Sequence, residues 1–153
     1  MTPSTLRAAV VAERAAWVRE MLACVRGLPL GSADEFFSDA RNVAAAESYL
    51  RRALEALLDL GRHVLAKGFG VAPSEYKEVA RGLERVGVLA PDVARTLVVL
   101  AGYRNRMVHF YHEVGPQELY EVCSRRLGDV EDVLDAMLSW CRAHPERFDA
   151  PVE

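Results

Sequence analysis

Ala101-Gly-Tyr-Arg-Asn-Arg-Met-Val-His-Phe-Tyr-His-Glu113 is the stretch on which the reading of this chain turns. It closes a long apolar-periodic run that begins near Asp92. Leu97, Leu100, Ala101, Val108 and Tyr111 recur at helical spacing and predict one stripe of an α-helix. Arg104 falls on that stripe, where a further apolar residue is expected. A charge on a packing face must be paired, or must line a cleft or an interface, because burying it alone is costly.

Working outward, the chain divides into helices punctuated by Gly and Pro. Upstream, Pro91-Asp92 starts the helix that carries the quoted stretch, and Gly115-Pro116 ends it. A first helix is predicted over Thr5–Leu28, with Leu6, Val10, Arg14, Trp17, Met21 and Val25 on one face. Ser32–Arg41 forms a short link, with Ser32 and Asp34 as candidate caps and Phe36 and Phe37 as anchors. Asn42–Lys67 has the widest apolar face (Ala46, Leu50, Ala53, Leu54, Leu57, Leu58, Gly61, Val64, Leu65) and is the expected central helix. Gly inside it costs ~1 kcal/mol relative to Ala, so Gly61 is read as a point of close helix contact.

A third helix follows Gly68, Gly70 and Pro73, with Pro73 as its first residue or Ser74 as its cap, and Gly87 as its stop. A last helix is predicted over Gln117–Ala143, and the tail His144–Glu153 is expected to be loosely held. No strand-like alternation persists. The expected fold is all-α: one domain over residues 1–153, an antiparallel bundle of four to five helices.

The chain has 153 residues, 51% hydrophobic and 27% charged, which suits one domain with a real core. Its net charge of -3 argues against a dedicated non-specific duplex binder and leaves room for a small basic pocket. No apolar run approaches the ~18 residues of a membrane span. Arg7, Glu13 and Arg14 interrupt the N-terminal region, so a signal peptide is not expected, and a cytoplasmic protein is. Cys24, Cys123 and Cys141 are far apart and form no C-x-x-C pair. They read as buried, reduced thiols.

On an ideal helix, Arg104 and Tyr111 share one stripe, and Asn105 and His109, four apart, share the next. Arg104 and His109 stand ~140° apart on that wheel. They converge on one atom only if the Arg chain curls round, the helix end distorts, or a second copy of the helix completes the cleft. His109, His112 and Glu113 alone do not make a metal site, because no second ligand pair accompanies them. Asp59 and His63, four apart on the central helix, can pair with each other. Their candidate roles are to support the Arg104 site or to satisfy one another in the core.

Arg104-Asn-Arg-Met-Val-His-Phe-Tyr111 fits the pattern R-x4-H-x-Y with Asn after the Arg. It resembles the HEPN superfamily, and within it the HepT-like toxins. The approach Leu97–Asn105, the core segment Ser48–Leu65, and the segments Pro73–Val79 and Leu83–Leu89 resemble that family too. The match runs from about residue 36 to 138. The resemblance implies a metal-independent endoribonuclease, the toxin of a toxin–antitoxin pair, with no cofactor.

The residue chemistry agrees. RNA cleavage by the 2′-hydroxyl needs a general acid and base, and His titrates in the right range. It also needs a cation on the crowded phosphate, for which Arg is well suited. His109 is the candidate acid or base and Arg104 the candidate phosphate stabiliser. Asn105 orients His109 or binds the phosphate. Arg106 adds attraction for RNA or is a solvent-facing charge, and Lys77, Arg81 and Arg95 could extend a basic rim.

Because each motif offers one such His, an acid–base pair suggests two motifs facing each other in a homodimer, as in HEPN ribonucleases. Tyr111 either packs at the interface or, as the resemblance implies, accepts AMP groups from a minimal nucleotidyltransferase antitoxin. The alternative function is a non-catalytic HEPN module that binds a nucleotidyltransferase or nucleotide. A plain dimeric helical scaffold, with Arg104 paired to an acidic residue, is the remaining option.

Overall fold

The computed structural model describes residues 3–109 and 114–153. Seven α-helices occur among them: α1 Ala8–Arg26, α2 Ala33–Phe37, α3 Ala40–Phe69, α4 Tyr76–Arg85, α5 Pro91–His109, α6 Pro116–Arg125 and α7 Leu127–Ala143. The fold is all-α, and α3 is its axis, packed most extensively by α1 and touched by each of the others.

The length of α3 follows from its ends and its inner face. Asp39 caps it by accepting a bond from the Arg41 amide, and Gly70 ends it in the left-handed region at φ 66°. The amides of Gly70 and Val71 then donate back to the carbonyls of Ala66 and Leu65. Leu50, Leu54, Leu57, Leu58, Val64 and Leu65 are fully buried. Gly61 is the close contact its position suggests: a Cβ there would stand 2.8 Å from Leu83 Cδ1 and 2.9 Å from Val79 Cγ1, both on α4. The small residue lets α4 lie tight against α3, and this seats the start of α4 beside the candidate site.

Several boundaries differ from the sequence reading. The link after α1 holds its own short helix, α2, capped by Ser32 accepting from the Glu35 amide. Neither Pro73 nor Ser74 opens α4: the extended residue before it is Glu75, at φ -117° and ψ 146°. The single helix expected over Gln117–Ala143 is two, because Arg126 leaves helical geometry at φ -116° and ψ 2°. In α1 the buried face is Val11, Ala15, Val18, Met21, Leu22 and Val25: the expected Met21 and Val25 stand, Val10 and Arg14 are only partly buried, and Trp17 is left exposed. Leu6 is buried, yet it lies outside the helix in a parallel bridge to Phe148.

That bridge also corrects the expectation of a loose tail. The Leu6 amide donates to the Arg147 carbonyl at 2.9 Å, and the Asp149 amide returns a bond to the Leu6 carbonyl at 3.0 Å. The Asp149 carboxylate accepts from the Ala8 amide at 2.9 Å and so serves α1 as a cap from across the chain. Arg147 donates to the Gly68 carbonyl and lies over the Phe69 ring. The two ends of the described chain are thereby tied to each other and to the C-terminal end of α3.

Cys123 and Cys141 are buried and Cys24 is partly exposed. Burial pushes the Cys123 thiol up to about 12 and the Cys141 thiol up to about 11. No described helix is long and apolar enough to cross a membrane.

Candidate active site

Helix α5 buries Ala94, Leu97, Leu100 and Ala101 against the bundle. One turn later the same stripe reaches Arg104, and there the apolar floor gives way to a cleft. The Arg104 side chain is only 19% exposed. The stripe does not continue inward to Val108, which is 42% exposed; at this end of α5 Tyr103 and Met107 pack against the core instead.

The Arg104 guanidinium lies over the ring of Tyr76, the first residue of α4, with Cζ 4.6 Å from the ring centroid. Its Nε is 3.9 Å from Glu55 Oε1 on α3, a long ion pair, and it makes no hydrogen bond among the described residues. Arg51 donates to that same carboxylate oxygen of Glu55 at 3.0 Å. Arg104 Nη1 reaches Asn105 Oδ1 at 3.5 Å. The arginine is therefore held mainly through its face, by cation–π attraction, and among the described residues its forked donors are not consumed by a carboxylate.

Tyr76 is held in turn. Its hydroxyl donates to Asp59 Oδ1 at 2.9 Å, and the Arg62 guanidinium also lies over its ring at 4.7 Å. Burial and the adjacent Asp59 carboxylate raise the phenol's pKa, so Tyr76 stays neutral and remains a donor. Asp59 is further paired with Arg62 at 3.7 Å. Arg62, Tyr76, Lys77, Arg104 and Asn105 line a cleft of about 600 Å³, together with Glu75 and Arg106.

Asp59 thus stands in the network behind Arg104, while His63 does not meet it there. Nε2 of His63 accepts from the Arg7 amide at 3.4 Å, on the α1 side of α3. Burial, followed by the nearby Lys67, Arg14 and Arg7 charges, lowers the His63 pKa and keeps the ring neutral. Arg106 is paired with Glu118 on α6 and lies 5.7 Å from the Tyr103 ring centroid. Arg81 pairs with Glu78 on its own helix. His109 is the last residue of α5, five positions beyond Arg104. Its side chain, together with Phe110, Tyr111, His112 and Glu113, lies outside the described residues.

Sequence reasoning missed Glu55, Arg62 and Tyr76. A signal for the first two exists: Arg51, Glu55, Asp59 and Arg62 recur at helical spacing along one edge of the apolar face of α3. Tyr76 carries no such signal, because its partners come from two other helices.

Residues 19–137 match the family model described as Ribonuclease HepT-like. The chain belongs to this family. Within it, a stretch of 93 residues is 26% identical to the tRNA nuclease HepT of Aphanizomenon flos-aquae. That match covers 61% of this chain and 63% of the relative, so the chain spans under two thirds of that protein's length.

Among solved structures, the tri-AMPylated HEPN toxin of Shewanella oneidensis in complex with MNT antitoxin is 19% identical, at TM-score 0.76 over 85% of this chain and 97% of that one. YutE of Bacillus subtilis, a cytosolic protein of unknown function, is also 19% identical, at TM-score 0.70 over 88% and 90%. At these identities the structural likeness is one of fold.

Proposed function

We propose that this chain is the endoribonuclease toxin of a toxin–antitoxin pair, cleaving RNA without a metal by means of Arg104 and His109. The observation that carries the reading is Arg104 itself. It is a nearly buried guanidinium at the wall of an open cleft, steadied through its face by Tyr76 and with its fork left for a ligand. It stands five residues before a histidine in a chain of the HepT-like family.

In this reading Arg104 binds the scissile phosphate and stabilises the charge that builds on it as the 2′-oxygen attacks. His109 takes the 2′-hydroxyl proton, or delivers one to the departing 5′-oxygen. Asn105, already at the Arg104 fork, keeps the guanidinium aimed or contacts the phosphate itself. A homodimer with two motifs across one cleft supplies both an acid and a base. Tyr111, two residues beyond His109, accepts AMP groups from a nucleotidyltransferase antitoxin. The added bulk and negative charge then repel RNA.

Purified protein is incubated with RNA in the presence of a chelator. Cleavage that is lost in Arg104→Ala and in His109→Ala, and blocked by a 2′-deoxy substitution at the cut site, supports the assignment. RNA left as intact by the wild type as by His109→Ala would support the non-catalytic binding module. Co-expression with an adjacent nucleotidyltransferase, followed by mass spectrometry, tests Tyr111. Full neutralisation with Tyr111 unmodified sinks the AMPylation step and leaves simple occlusion.

A further inference from the structure

The cleft is larger than one phosphate requires, and its second half is built from residues that the cleavage step does not use. Arg62 lines it from α3 and Lys77 from the first turn of α4. The Nε of Arg62 is buried and without a hydrogen bond among the described residues. Its acidic neighbour Asp59, 3.7 Å away, is already engaged by the Tyr76 hydroxyl at 2.9 Å.

The Lys77 side chain reaches α5. Its Cε lies 3.8 Å from where a Cβ on Gly102 would stand. Glu75 is the acidic residue among the described residues that line this cleft, and Arg106 is engaged by Glu118. Arg62, Lys77 and Arg104 therefore concentrate positive charge at one place in a chain whose net charge is -3. The guanidinium groups of Arg62 and Arg104 both lie against the Tyr76 ring, at 4.7 Å and 4.6 Å from its centroid, so the two cations share one aromatic anchor.

We propose that Arg62 and Lys77 form a second phosphate subsite, which holds the backbone of single-stranded RNA one nucleotide away from the phosphate at Arg104. The inference rests on the ribonuclease reading for its ligand and deepens it. A strand offers a phosphate at each nucleotide, so two cationic positions held at one aromatic ring suit successive phosphates of an extended strand. Recognition at this subsite is by charge, without base readout. Binding here draws the strand in and sets its register, while Arg104 acts on the bond that breaks.

The test uses the full chain and two probes. One is an RNA oligonucleotide for cleavage. The other is the same oligonucleotide with a 2′-deoxy residue at the cut site, for binding by fluorescence anisotropy across a salt series. Arg62→Gln and Lys77→Gln are each expected to weaken binding about tenfold and to flatten the slope of log affinity against log salt by about 0.7 per lost contact. KM rises accordingly, and kcat stays within about threefold. A further version of the uncleavable strand, with a methylphosphonate at the flanking position, binds the wild type more weakly than the unmodified strand does and binds the double variant equally well. Arg26→Gln, whose side chain pairs with Glu131 on α7, serves as the charge-matched control.

Affinity and slope in Arg62→Gln and Lys77→Gln equal to those of the control overturn the subsite. So does a fall in kcat at unchanged KM, which would make Arg62 a support for Tyr76 only. A wild type that binds the uncleavable strand with these dependences but cuts no RNA keeps the subsite and refutes the ribonuclease reading. A wild type that neither binds nor cuts refutes both.

Discussion

Replacing Tyr76 separates what holds Arg104 from what Arg104 does. Tyr76→Leu removes the ring beneath both guanidinium groups and the donor to Asp59. Two cation–π contacts at partly exposed sites amount to about 1–2 kcal/mol together. The hydroxyl bond to a carboxylate adds about 1 kcal/mol net, toward the low side because Asp59 is partly exposed and keeps Arg62. Tyr76→Leu should therefore destabilise the chain by about 2–3 kcal/mol, read as a drop in Tm of roughly 5–10 °C for a domain this size.

Tyr76→Phe keeps the ring and loses only the hydroxyl, at a cost of about 1 kcal/mol. The effects on cleavage should split differently. If the ring is what aims the Arg104 fork, its loss removes about 1–2 kcal/mol of transition-state alignment, and kcat falls about 5–30-fold in Tyr76→Leu. In Tyr76→Phe, kcat stays within about threefold. The assay is steady-state cleavage of a short RNA well below the Tm of each variant. A Phe variant as impaired in kcat as the Leu variant refutes the reasoning, because the stacked ring would then not be the element that matters. So does a Leu variant with wild-type kcat.

Other expectations follow from the packing and the titrating groups. Gly61→Ala gains up to ~1 kcal/mol of helix propensity but drives a methyl into Leu83 and the stiff Val79 side chain, for a net loss of about 1–2 kcal/mol in chemical denaturation. The lowered pKa of His63 means that the unfolded chain takes up a proton more readily there than the folded one. Its contribution is fully present above the unfolded value near ~6.5 and is lost as pH falls below it, so His63→Gln should flatten the acid side of a stability–pH profile. A profile with the same acid slope in both proteins counts against this. Thiol labelling at pH 8 should modify Cys24 well before Cys123 and Cys141, whose thiols are pushed up by burial; equal rates at all three would contradict it. Asp149→Ala should cost about 1 kcal/mol and raise amide exchange at Ala8, since it removes the acceptor of that amide.

The parts of the fold legible in the sequence are those set by periodicity within one segment. The apolar face of α3 and the contact at Gly61 depend on spacing along one helix, and both stand in the structure. The misread parts depend on segments far apart in the chain. Phe148 and Asp149 look like a polar, proline-rich tail until Leu6 and the start of α1 supply their partners. The face of α1 is turned by its fit to α3, so Trp17 stays outside although its spacing to Met21 and Val25 places it inside. Arg126 breaks the last helix with no proline beside it, and Gly128 two residues on is the local sign of the break.

The site divides along the same line. Arg104 is conspicuous because a cation interrupts an apolar stripe, and its neighbour Asn105 follows from adjacency alone. What the stripe does not carry is how the charge is tolerated. Sequence logic asks for a carboxylate partner, and the nearest among the described residues, Glu55, is 3.9 Å away and shared with Arg51. The structure answers with the face of a tyrosine from another helix, itself fastened to Asp59 on a third. The difference bears on chemistry. A guanidinium locked in a bidentate carboxylate pair is neutralised and has spent its donors, whereas one stacked on a ring keeps both its charge and its fork for an incoming anion. The residue that holds Arg104 without neutralising it is therefore one that no pattern around Arg104 could disclose.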